Sequence, residues 1–113
     1  MTAPSRVRLP NRRRAETREL TIGNLTLTAT VGFDQGWRPA EVFLCGAKDG
    51  SGLATILDDA SVVISVALQY GIPAAALAKS ISRTPDGMGR ITAASAIGAA
   101  LDLLVDVEAS QDG

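Results

Sequence analysis

The chain has 113 residues, an apolar content of 46% and a formal net charge of −1, with one cysteine and no histidine. This length predicts one domain, and the apolar content excludes wholesale disorder. A single cysteine excludes an internal disulfide and a cysteine-based zinc site, and the lack of histidine removes the commonest general base and metal ligand. We expect no membrane span, signal peptide, metal or cofactor, and therefore a soluble cytoplasmic protein.

Charge is unevenly distributed along the chain. The first eighteen residues contain six arginines and one acid, whereas the C-terminal stretch is acidic without a base. Residues 1–17 are therefore predicted to form a flexible basic arm. Residues 18–109 are predicted to form one α+β domain, and residues 110–113 a frayed tail.

Three strands are predicted after the arm. The first covers residues 19–22 and is followed by the two-residue turn Gly23-Asn24. Residues 25–33 alternate apolar side chains with threonine, as in a half-buried strand. A loop at 34–39 leads to a third strand at 40–45, which predicts an antiparallel meander.

The stretch 51–71 predicts one long central helix. Its apolar residues recur at the i, i+3, i+4, i+7 spacing of a single helix face. They are Leu53, Ile56, Leu57, Ala60, Val63, Ile64, Ala67 and Leu68. Ser51 is expected to cap the N-terminus and Gly71 to end the helix. Because apolar residues cover more than half its circumference, we expect it to be covered on more than one side.

Two further helices are predicted. A short one spans residues 73–82, and a turn-rich loop at 83–89 follows. Thr92 is expected to cap a third helix from residue 93 to about 108, with Ile97, Leu101, Leu104 and Val105 on its inner face. The predicted fold is thus α+β: a three-stranded antiparallel sheet with a long helix and two others on one face.

Several runs of the sequence resemble one known family. PNRRRAET, TATVGFDQGWRPAEVF and ISVALQYGIP resemble the C-terminal segment of adenosylcobalamin-dependent ribonucleotide reductases, the TSCPD domain. Pro85-Asp86-Gly87 and the run IGAALD at 97–102 resemble small free-standing proteins with the same pattern. The likeness covers roughly residues 8–104.

The resemblance implies reductase ancestry and a shared partner or ligand surface. The family reductases use a catalytic barrel, a radical cysteine and a redox cysteine pair, whereas this chain has only Cys45 and lacks the Thr-Ser-Cys-Pro-Asp motif. No catalytic or cobalamin-binding residue carries over to any position here. The resemblance therefore does not imply reductase activity by this chain alone.

Two stretches suggest anion or nucleotide binding. Arg12, Arg13 and Arg14 are suited to phosphate contacts, although a solvated or docked arm is the simpler interpretation. Lys48, Gly50 and Ser51 precede a helix N-terminus, where free backbone N–H groups attract anions. Glycine is also common in such turns for backbone reasons alone.

Trp37, in the loop after the second strand, is a candidate partner contact, because tryptophan is enriched at interface hot spots. The favoured function is a non-catalytic accessory or regulatory domain that acts through protein contacts, with a ribonucleotide reductase or a nucleotide as partner. The alternative is a small nucleic-acid-binding protein that uses the arginine arm. The open strand edges and the wide apolar surface of the long helix also predict a homodimer.

Overall fold

The computed structural model describes residues 5–47 and 50–112. Its elements, in chain order, are β1 (Ala15–Ile22), β2 (Leu25–Phe33), β3 (Pro39–Cys45), α1 (Gly52–Gln69), α2 (Ala74–Ala78), β4 (Arg83–Pro85), β5 (Ile91–Ala93) and α3 (Ala96–Asp112). The predicted α+β class is confirmed, including the three-stranded antiparallel sheet, the long helix and two further helices.

The main sheet is a meander of order β1-β2-β3 with both pairs antiparallel. Leu20 faces Leu27 across the first pair, and Val31 faces Val42 across the second. From Leu27 to Phe33 the alternating apolar residues of β2 share one face and are buried, whereas Thr26 and Thr28 point to the opposite, exposed face. Strand alternation thus gives the sheet one core face and one solvent face.

Helix α1 lies along β3, which is an edge strand of the sheet. The hydroxyl oxygen of Ser65 accepts a hydrogen bond from the backbone N–H of Val42 at 3.0 Å and lies 3.3 Å from the carbonyl oxygen of the same residue. The Gln69 amide donates to the carbonyl oxygen of Ala40 at 3.1 Å. Side chains of α1 therefore satisfy backbone groups that an edge strand would otherwise leave open.

The predicted single apolar face of α1 is wrong. Its buried apolar residues are Leu57, Ile64 and Leu68, and the polar Ser61, Ser65 and Gln69 are buried beside them. Three other members of the predicted face are exposed: Leu53 by 41%, Ile56 by 57% and Val63 by 68%. The wide apolar pattern contains two neighbouring stripes, and among the residues that the structure describes only the stripe of Leu57, Ile64 and Leu68 is buried.

The ends of α1 agree with the prediction. The Ser51 hydroxyl accepts from the N–H of Ala54 at 3.1 Å and caps the N-terminus. Gly71 has φ +92°, and the N–H of Ile72 bonds back to the carbonyl of Ala67 at 3.1 Å. This pattern closes the C-terminal turn with a left-handed glycine, as expected from the Gly-x-Pro sequence.

The C-terminal half differs from the prediction in its local elements. The stretch 83–93, expected to be a loop and the start of a helix, contains the β4–β5 hairpin, in which Thr84 faces Thr92. Thr92 is therefore in a strand, and the side chain of Ser95 caps α3 by accepting from the N–H of Gly98 at 3.1 Å. Helix α2 ends at Ala78 rather than at residue 82. Leu101 and Leu104 of α3 are buried as predicted.

The start of the first strand also differs from the prediction. Strand β1 begins at Ala15, inside the stretch predicted to be a flexible arm.

Helix α1 is long and apolar enough to cross a membrane by length and composition, contrary to the expectation that no such run exists. A core helix of a soluble domain meets the same criteria, and the hydrogen bonds from α1 to β3 are those of a helix packed on a sheet.

The substitution Ile64→Asp is expected to unfold the domain or destabilise it by more than about 3 kcal/mol, because a carboxylate would replace a buried side chain without a partner. Ile64 is 5% exposed. Val62→Asp is the matched control, since Val62 lies on the same helix and is 59% exposed. Thermal unfolding followed by circular dichroism measures both. Equal melting temperatures for the two variants would show that the Ile64 side of α1 is not the core face.

Candidate functional site

Three segments meet at one end of the sheet and form what we call the corner: residues 6–14 of the arm, the loop 34–38 between β2 and β3, and the C-terminal end of α1. Gln69 links them. Its side-chain oxygen accepts from Nε of Arg6 at 2.7 Å, and its backbone carbonyl accepts from the N–H of Val7 at 2.8 Å. Because the same amide also donates to Ala40 of β3, one buried side chain connects arm, helix and sheet.

Arg13 is held by a bidentate ion pair with Glu41 of β3. The distances are 2.6 Å from Nε to Oε2 and 2.8 Å from Nη2 to Oε1. The Glu41 hydrogen bonds raise the pKa of Arg13 above its ordinary value. Gly32, directly opposite Glu41, makes room for the carboxylate, because a Cβ at that position would collide with Oε2 of Glu41.

Trp37 is the most unusual residue of the loop. Its φ is +66°, the left-handed region that residues other than glycine seldom adopt. Asp34 supports this turn, because its Oδ1 accepts from the N–H of Gly36 at 2.9 Å and of Arg38 at 3.0 Å. The guanidinium carbon of Arg14 lies 4.0 Å from the centre of the indole ring. Trp37 is nevertheless 49% exposed, so the fold fixes a large aromatic ring at the surface.

Two grooves open at the corner. One has a volume of about 200 Å³ and is lined by Pro10, Arg12, Arg13, Arg14, Phe33, Asp34, Gln35 and Trp37. The other, of about 180 Å³, lies where the arm meets the end of α1 and includes Ser5, Arg38, Gln69 and Glu108 in its lining. The first groove thus combines cationic side chains with an aromatic ring.

The structure brings together some of the predicted site residues and separates others. Arg12, Arg13, Arg14 and Trp37 share one groove. Gly50 and Ser51 follow the far end of β3, and that strand runs about 13 Å from Glu41 to Cys45. Lys48 lies outside the described residues. Ser51 is engaged as the cap of α1. The two predicted anion-binding stretches therefore do not form one site, and anion binding by either stays a prediction.

Four residues that form or support the corner were missed by sequence reasoning: Arg6, Asp34, Glu41 and Gln69. Only Gln69 could have been noticed from the sequence, because it is a polar residue near the end of a mostly apolar helix. The partners of Glu41 and Asp34 depend on strand register and loop conformation, which no local pattern specifies. Among residues 5–47 and 50–112, no three His, Cys, Asp or Glu side chains gather as a metal site.

Cys45 and the β4–β5 hairpin lie away from the corner. Cys45 is exposed, although cysteines outside disulfides are among the residue types most often buried. Arg83 at the start of the hairpin forms a bidentate pair with Asp102 of α3, at 2.9 and 2.6 Å. The Asp102 hydrogen bonds raise the pKa of Arg83. This pair fastens the hairpin to α3 and gives no sign of a second site.

Comparison with known proteins identifies the class. The TSCPD domain family matches residues 2–105, so nearly the whole chain is covered. The chain is 35% identical over 81 residues to a vitamin B12-dependent ribonucleotide reductase of Rhodopirellula baltica, covering 72% of this chain and 8% of that protein. A relative with the same description in Streptantibioticus cattleyicolor is 43% identical over 72 residues, which cover 62% of this chain and 12% of that protein. Another in Agrobacterium fabrum is 32% identical over 68 residues, which cover 60% of this chain and 5% of that protein.

The chain belongs to the TSCPD domain family. It is related to a small part of vitamin B12-dependent ribonucleotide reductases, since it spans 5% to 12% of the length of these three relatives. No solved structure gives a significant match. The three runs that carry the resemblance, at 10–17, 28–43 and 64–73, each contribute residues to the corner.

The substitution Gln69→Leu is expected to release the Arg6 segment and lower the stability of the domain by about 1–3 kcal/mol, because the Ala40 carbonyl loses its partner. Faster trypsin cleavage after Arg6 and Arg8, together with a lower melting temperature, measures the effect. Gln35→Leu is the control, since Gln35 is exposed in the loop. If both variants resist trypsin equally, Gln69 does not hold the arm.

Proposed function

We propose that this TSCPD domain is a non-catalytic accessory or regulatory domain that acts by binding another protein, and that the partner is a vitamin B12-dependent ribonucleotide reductase. The family relationship supports the choice of partner, because the relatives contain this domain within much longer chains. The corner is the proposed docking surface, since the segments that resemble the reductases assemble there.

The observation that carries the proposal is the fixed, half-exposed ring of Trp37. A non-glycine residue with positive φ costs folding energy, and such outliers persist only where surrounding contacts hold them. Here the Asp34 turn and the Arg14 cation supply those contacts. Tryptophan and arginine are the residues most enriched at binding hot spots, and a ring held in place loses little conformational entropy on binding.

The chemistry of the corner describes the partner surface. Trp37 requires an apolar pocket, and the exposed Arg12 beside it favours a carboxylate at the rim of that pocket. The Arg13–Glu41 pair is already satisfied within the chain and serves to position the arm. We therefore expect recognition of an apolar pocket with an acidic border.

A nucleotide is the second candidate ligand. The 200 Å³ groove places Arg12 and Arg14 beside the indole ring of Trp37, a combination suited to phosphate and a base, whereas Arg13 in the same lining is paired with Glu41. Nucleic acid has less support, because several arginines of the basic segment are engaged within the chain. Arg6 bonds to Gln69, Arg13 to Glu41 and Arg18 to Glu16.

Trp37→Ala is expected to weaken binding to the reductase of the same genome at least tenfold, about 1.4 kcal/mol, because the anchor of the surface is removed. Phe43→Ala is a matched control: Phe43 is also aromatic and 49% exposed, but lies on β3. Isothermal titration calorimetry with the intact reductase measures both. Absence of binding by the unaltered chain, or equal affinities for the two variants, would contradict the proposal.

If the groove binds a nucleotide, a saturating nucleoside triphosphate or diphosphate is expected to raise the melting temperature, with about 2.7 kcal/mol of stabilisation at a hundredfold excess over Kd. Arg12→Ala should abolish the shift, whereas Arg90→Ala, at an exposed position in the hairpin, should preserve it. A differential scanning fluorimetry series over common nucleotides is the measurement. No shift with any nucleotide would remove this second candidate.

A further inference from the structure

Helix α1 and its C-cap carry a second apolar stripe whose large side chains the described chain leaves substantially exposed, and we call it the exposed stripe. Its members recur at spacings of three, four, three, four and three residues. They are Leu53, Ile56, Ala60, Val63, Ala67 and Tyr70. The four large members are 41%, 57%, 68% and 42% exposed, and the two alanines are half-buried.

The spacing is that of a helix that pairs with another helix. Alternating steps of three and four place apolar residues at the a and d positions of a heptad, which form the seam of a coiled coil. At about 100° per residue the exposed stripe is about 100° wide. It lies beside the stripe of Leu57, Ile64 and Leu68 that packs on β3. Helix α1 can therefore contact β3 and a second helix at the same time.

We propose that the exposed stripe is the dimer interface and that its occupant is the α1 helix of a second copy of this chain, packed antiparallel. An antiparallel two-fold pair places residues whose numbers sum to 123 opposite each other. Leu53 then faces Tyr70 of the second copy, Ile56 faces Ala67, and Ala60 faces Val63. Large side chains thus meet small ones in the inner layers, which is the pattern of a well-filled interface.

A parallel pair fits less well. It would place Ala60 against Ala60 and Ala67 against Ala67, leaving gaps between layers of larger residues. The antiparallel pair also separates the nearest charges, because the two Asp59 residues are offset by five positions, about 7.5 Å along the helix axis. No member of the stripe is charged, so pairing does not bury an ion.

The sheet offers a weaker interface for a second copy. The outer edge of β3 is engaged by Ser65 and Gln69 of α1, so the edge pairing expected from the sequence is blocked on that side. On the sheet's outer face, Phe43 is an isolated large apolar residue among threonines.

The helix interface itself is small. Helix α1 is about 27 Å long, and one stripe of that length buries less than the roughly 800 Å² per partner of a standard interface. The dimer is therefore expected to dissociate on dilution.

Sedimentation equilibrium over a concentration series from micromolar to submillimolar tests the proposal, which does not depend on the proposed function. The unaltered chain is expected to change from 11.7 kDa toward twice that mass as concentration rises. Val63→Lys should abolish association without changing the fold, because Val63 is 68% exposed. Val62→Lys, with the same chemistry at a 59% exposed position outside the stripe, should leave the dimer intact.

Cross-linking tests the orientation. Cys45→Ser removes the native thiol, after which Leu53→Cys and Tyr70→Cys provide one thiol each. A short bismaleimide should link the two variants when they are mixed, and mass spectrometry should identify the 53–70 product. It should not link Leu53→Cys to itself, because those positions are about 25 Å apart in the antiparallel pair.

Three results would overturn the proposal. The first is a monomer mass at every concentration. The second is a dimer that survives Val63→Lys but is lost with Phe43→Lys, which would transfer the interface to the outer face of the sheet. The third is efficient 53–53 cross-linking in place of the 53–70 product, which would exclude the antiparallel arrangement.

Discussion

The fold depends on how α1 engages the edge of β3. A helix normally packs on a sheet through apolar side chains, but here Ser65 and Gln69 also bond to backbone groups of Val42 and Ala40. These directional contacts fix both the rotation of the helix and its position along the strand. The rotation leaves Leu57 and Ile64 inward and the neighbouring apolar stripe outward. The position brings the end of α1 beside the loop that carries Trp37.

The corner follows from that placement. Once Gln69 is set against β3, its free oxygen and backbone carbonyl can receive the arm through Arg6 and Val7. The arm then runs into β1, which positions Arg13 over Glu41 and Arg14 over Trp37. Three segments that are far apart in sequence thereby form one continuous surface. The runs that resemble the reductases therefore contribute to one assembly of contacts.

Sequence reasoning predicted those features that depend on neighbouring residues. The alternation in β2, the Ser51 cap and the glycine end of α1 are local, and each was correct. Periodicity alone could not show which of two adjacent stripes on α1 faces β3, because both are apolar and the deciding hydrogen bonds come from polar residues. Thr92 and Ser95 are both suitable caps, and only the pairing of β4 with β5 distinguishes them. The Arg14–Trp37 contact joins residues more than twenty positions apart, and no sequence period predicts it.

Trp37 is the single tryptophan of the chain. Its indole ring lies under a guanidinium group and is half open to water, so its emission depends on whether the arm is in place and on whether the ring becomes covered. The domain therefore carries an intrinsic optical reporter at its most distinctive surface, without any label. Steady-state fluorescence can follow the detachment of the arm separately from global unfolding, which circular dichroism records for the helices.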